Sequence, residues 1–214
     1  MSNQERDDET RREPVEDASE SRLALEVDPR FFRDTLAAAM DQRGVRASEQ
    51  SELYLTTLLT DHLRSAEALG RLDSPFSVRL AHAMAAEGSE RFDKLRILGD
   101  DVLFTSGFFA EHLQHRGLAT DYVTGMGQLA YCGAASVLRT YTRDVSLFDE
   151  LAARFQLFVD LLRHVADSLV TTSLRKEADI LKLYERWSRT GSDVLATALG
   201  RLGVVPVNGT PGLN

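Results

Sequence analysis

The chain has 214 residues, 27% of them charged, with a net charge of −8, five histidines and a single cysteine. One cysteine excludes an internal disulfide framework and a cysteine zinc cluster, and no apolar run approaches the roughly 18 residues that span a bilayer. Residues 1–27 hold nine acids against four basic residues, leaving 24 acids against 21 bases elsewhere, a balance that speaks against a broad nucleic-acid-binding face.

The acidic segment 1–27 has too few apolar residues to offset its ordering entropy and is expected to be a disordered tail. It lacks the apolar core of a secretory signal, so the expected location is the cytoplasm, with no membrane span. Asp28-Pro29 then opens a first helix that runs to Gly44, with Phe32, Leu36, Ala39 and Met40 on its buried stripe. A second helix starts at Ser48, with Ser51 as a competing cap, and runs to Leu69. Its apolar face includes His62, which reads as a core histidine bonded to a neighbour rather than a ligand. A turn at Asp73-Ser74-Pro75 leads to a short third helix ending at Glu87.

The fourth helix is expected from Glu90 to Arg116, capped by Ser89. One face carries Phe92, Leu95, Leu98, Val102 and Ser106, while a second apolar stripe of Ile97, Phe104 and Phe108 runs among polar residues. Such a helix is either contacted on both sides or covered by another subunit. Asp101 lies mid-helix beside the second stripe; if that stripe is buried, Asp101 must be paired or protonated. The fifth helix runs from Thr120 to about Tyr141 and holds Gly125, Gly127 and Gly133, which lower helix propensity but let a neighbour approach. Ser146 opens a sixth helix with a heptad-like stripe from Phe148 to Leu169. A seventh, Glu177 to Arg201, turns Ile180, Tyr184, Trp187, Val194, Ala198 and Leu202 to the core, with Gly191 as a point of kinking. The fold class is all-α: one bundle of about seven helices over residues 28–206, between the acidic tail and a flexible end at 207–214.

Chemistry is harder to place. His112 and His115 sit beside Glu111 in metal-ligand range, but histidines in a last helical turn are commonly there for the helix dipole, so no metal site is assigned. The paired Glu-x-x-His motifs of di-iron bundles, nucleophile elbows and Walker loops are absent. Gly125-Met126-Gly127 has no preceding strand and so is no dinucleotide fingerprint. Asp160 and His164 form an i,i+4 pair off the apolar stripe, and Cys132 reads as a small packing residue.

The segments DPRFF, LRILGDDVLFTSGFFAEHL, DYVTGMGQLAY and ILKLYERWSRTGS together resemble an all-helical bacterial family of unknown function, over residues 28–206. That resemblance implies a self-contained helical domain and brings no catalytic or binding positions. The expectation is a cytoplasmic interaction or regulatory protein without catalysis or cofactor, self-associating through Ile97, Phe104 and Phe108. The alternative is a small-ligand or metal sensor with a pocket between the fourth and fifth helices, where Asp101, Thr105, His112 and Tyr122 supply polar contacts.

Overall fold

A computed structural model describes residues 29–64, 74–110, 113, 117–142, 144, 146–173 and 177–206. The predicted acidic tail, the predicted C-terminal tail, His112 and His115 lie outside the described residues. Those described are all helical or connecting, with no strand among them: α1 Pro29–Arg43, α2 Glu49–Arg64, α3 Phe76–Ala85, α4 Gly88–Phe108, α5 Thr120–Leu138, α6 Ser146–Ala153, α7 Phe155–Ser173, α8 Glu177–Thr190 and α9 Asp193–Arg201.

Nine helices replace the expected seven among the described residues because two predicted elements break. The sixth divides at Arg154, although Phe158 N–H still reaches the Arg154 carbonyl, so the interruption is slight. The seventh divides at Gly191, which adopts φ +62°, a left-handed conformation that ends a helix. That second break has consequences for packing. With the register reset, Leu195 and Leu199 become the buried pair of α9, and the expected core stripe shifts to its flank, Ala198 half-buried against the small cluster, Val194 half-buried and Leu202 exposed. The fourth predicted helix stops earlier than expected, α4 ending at Phe108, and it begins at Gly88 with no side-chain cap from Ser89.

At the centre lies α4, packed against α2, α3, α5 and α7. From Leu98 to Gly107 every residue of α4 is buried. Of the two possibilities that the double stripe left open, the first is realised: the chain's own helices cover both sides. Phe104 is inside the core, stacked on Phe108 at 4.8 Å between ring centroids and tilted against His62 at 4.7 Å. The α4–α5 crossing is close because glycine permits it. A Cβ on Gly99 would fall 2.5 Å from the Tyr131 ring, and one on Gly127 would strike Phe155 and Val102. α1 and α7 complete the main core with Phe32, Leu36, Phe158 and Leu162. A separate small cluster, Leu183, Trp187, Leu195 and Leu199, holds α8 to α9.

Candidate functional site

Two places hold the polar groups that a function can use: a pair of buried aspartates on α4, and a groove between α1, α7 and α9. Asp100 and Asp101 are adjacent, so their side chains leave the helix about 100° apart and reach different neighbours. Asp100 accepts hydrogen bonds from Tyr54 of α2 at 2.6 Å, Tyr131 of α5 at 2.8 Å and Arg96 at 3.0 Å. Burial pushes its carboxyl upward and outweighs the lowering by Tyr54, Tyr131 and Arg96. Burial and then the neighbouring Asp100 charge push both phenols well above the usual tyrosine range, so both remain protonated donors.

Asp101 is fully buried and paired on both oxygens, with His62 Nε2 at 2.9 Å on Oδ1 and Arg79 of α3 at 2.5 Å on Oδ2. The other ring nitrogen of His62, Nδ1, lies 2.9 Å from the Leu58 carbonyl of its own helix. The ring therefore faces two acceptors and donates to both only when each nitrogen carries a proton. Either way, both nitrogens are engaged within the protein. A catalytic histidine held by an aspartate keeps its second nitrogen for a nucleophile or substrate, so this arrangement is a lock rather than a dyad. The two aspartates tie α2, α3 and α5 to the central helix.

Of the residues expected to form a ligand pocket, His112 lies outside the described residues, and Asp101, Thr105 and Tyr122 are spread between the core and the surface. Thr105 is buried, but its hydroxyl donates to the Asp101 carbonyl at 2.6 Å. Tyr122 is 56% exposed in the first turn of α5. The space that glycines open between α4 and α5 is taken by Tyr131, Phe155, Val102 and Leu95. Among the expected partner-contact residues, Phe104 is fully buried, and Ile97 and Phe108 keep partial exposure. Cys132, expected to pack, is exposed. Asp160 bonds to Gln156 and Arg163. No group of three or more metal-ligating side chains occurs among the described residues.

The groove is a cavity of about 810 Å³ at the junction of the two hydrophobic clusters. Phe31 and Ala38 of α1 and Val194, Ala198 and Leu202 of α9 give it apolar surface; those last three are the stripe displaced by the Gly191 break. Its polar wall is Ser168, Thr171 and Thr172 of α7, with His164 on the same helix, Asp34, Thr35 and Gln42 on α1, and Asp193, Thr197 and Arg201 on α9. Burial, and secondarily the Arg43 charge, lowers His164 below the usual histidine range despite the opposing Asp167, so its imidazole is neutral near neutral pH. Sequence reasoning missed the groove because a one-residue change of register on α9 decides it. No protein-family model, curated protein or solved structure matches this chain.

Proposed function

We propose that this chain is a cytoplasmic, non-catalytic regulatory protein that binds a small ligand in the groove between α1, α7 and α9. The observation that carries this reading is the groove itself, with a volume in the range of small-molecule sites and a position between two separately packed clusters, where such sites recur. The engaged nitrogens of His62 favour binding over acid-base chemistry at the buried His62–Asp101 pair. No described helix is long and apolar enough to cross a membrane. A metabolite screen by thermal shift, followed by NMR on the hits, tests the reading: a ligand should raise Tm and move Thr171 and Thr197 resonances, and Ala198→Trp should fill the groove and abolish both effects. A screen in which no compound moves those resonances overturns it.

Self-association is a second reading, now favoured on α5 rather than α4. Tyr122 and Leu129, seven residues apart on one face, are each more than half exposed. Wild type should then exceed monomer mass in solution and Leu129→Asp should not; monomers in both cases contradict it.

A further inference from the structure

The groove's wall has a chemical polarity that its residue names do not reveal. A serine or threonine hydroxyl ordinarily offers one donor and two acceptor positions. Along α7, however, Ser168 donates to the His164 carbonyl at 2.9 Å, Thr171 to the Ser168 carbonyl at 2.8 Å, and Thr172 to the same carbonyl at 2.5 Å. Each hydrogen is used inside the helix, so what these three side chains have left is oxygen lone pairs. The neutral imidazole of His164 adds one acceptor nitrogen and one N–H donor, and no fixed charge. Asp34 and Asp193 add two carboxylates against one guanidinium, Arg201, among the lining residues. Asp34 is also met by Arg33 at 3.5 Å, a pair so exposed that water screens it heavily.

We infer that the groove's ligand is a protonated amine on a short apolar stem, with the ammonium taken by Asp34, Asp193 and the lone pairs of Ser168, Thr171 and Thr172, and the stem lying on Phe31, Val194 and Ala198. An ammonium brings three donors and no acceptor, the complement of this wall. Phe31 also lines the groove, and an aromatic ring is a further favourable neighbour for a cation. The chain's net charge of −8 raises the local concentration of such a ligand at low ionic strength. A carboxylate or phosphate would meet two like charges and a row of oxygens, against which Arg201 is the one lining guanidinium and Thr35, Gln42 and Thr197 offer only neutral donors.

This inference rests on the groove being a ligand site, and the experiment separates the two. The full-length protein is titrated with 1,5-diaminopentane, 1,5-pentanediol and glutarate, which share a five-carbon chain and differ in the charge of their ends. Binding is followed by calorimetry and by the amide resonances of Thr171 and Thr197. The diamine is expected to move those resonances and bind at least tenfold tighter than either analogue. Replacing both exposed carboxylates, Asp34→Asn with Asp193→Asn, should weaken it about tenfold without lowering Tm. If glutarate or the diol moves the same resonances and the diamine does not, the groove binds ligands but the amine assignment is overturned. If the diamine binds with those resonances unmoved, or as tightly to the double variant, the assignment is overturned as well.

Discussion

His62 and Asp101 show how a single contact can set the role of a side chain. His62 is legible in the sequence as a histidine on an apolar helical face, and Asp101 as an acid that needs a partner if buried, but no periodicity connects positions 39 residues apart. The structure joins them and adds Arg79, so that the fully buried Asp101 carboxylate is met on both oxygens. His62→Ala is therefore expected to cost about 3–5 kcal/mol in chemical denaturation, because it removes one partner and leaves a buried carboxylate incompletely compensated. A double-mutant cycle with Asp101→Asn should show coupling above about 1 kcal/mol; additive single losses would mean the pair is not a unit. The glycines of the central crossing show the same dependence on context. Gly125 is exposed with open space where a Cβ would go, so Gly125→Ala should raise stability by about 0.5–1 kcal/mol. Gly99→Ala drives a methyl into Tyr131, and should lose about 1–3 kcal/mol while disturbing the Tyr131 bond to Asp100. Thermal melts of the two variants should move in opposite directions. Sequence alone gives both residues the same propensity cost.

Helix existence was legible wherever one face is apolar, and helix ends where a local chemical signal fixes them. The α1 stripe of Phe32, Leu36, Ala39 and Met40 is buried as its spacing predicts. The predicted cap at Ser48 is realised too, since its hydroxyl accepts the Ser51 N–H at 3.2 Å. What spacing does not contain is the long-range half of that cap. Glu150, brought in by α6, accepts the Ser48 N–H on both carboxylate oxygens at 3.3 Å and the Ser51 hydroxyl at 2.8 Å, with Arg154 at 2.8 Å. Burial tends to push the Glu150 carboxyl up, but the bonds from Ser48, Ser51 and Arg154 more than offset it and hold the carboxyl below its ordinary 4.5. A depressed acid stabilises the fold above its unfolded value and loses that contribution as pH falls through the folded one. Wild type should accordingly lose its advantage over Glu150→Gln, about 1 kcal/mol near neutrality, on acidification below about pH 4.5. Urea midpoints for the two proteins between pH 7 and pH 3 check this; parallel curves across that range would mean the carboxylate does not stabilise the α2 terminus.

Across the molecule, stability is unevenly distributed, and that unevenness is what gives the groove a means of signalling. The main core runs continuously from α1 through α7, centred on a helix buried on all sides from Leu98 to Gly107, whereas α8 and α9 share a smaller cluster in which Leu183, Trp187, Leu195 and Leu199 are the described buried residues. Their attachments to the rest include Val170 packing on the small cluster and the Arg186 to Asp167 ion pair at 3.0 Å, in which Asp167 is almost fully buried. Free energies of local opening follow buried apolar contact, so α8 and α9 should open at lower cost than α4. Ligand bound in the groove bridges α9 to α1 and α7, and binding only to the closed arrangement raises the opening cost in proportion to the logarithm of ligand concentration over Kd. Native-state hydrogen exchange should therefore show Leu195 and Leu199 amides exchanging well before those of Val102 and Leu103 in the free protein. Saturating diamine, at about 100 times its Kd, should slow the α9 amides about 100-fold, and should slow by the same factor any α4 amide that exchanges through global unfolding, because that opening also destroys the groove. Equal exchange of α9 and α4 without ligand would mean the two clusters open together, and the small cluster could not act as a separate responding element.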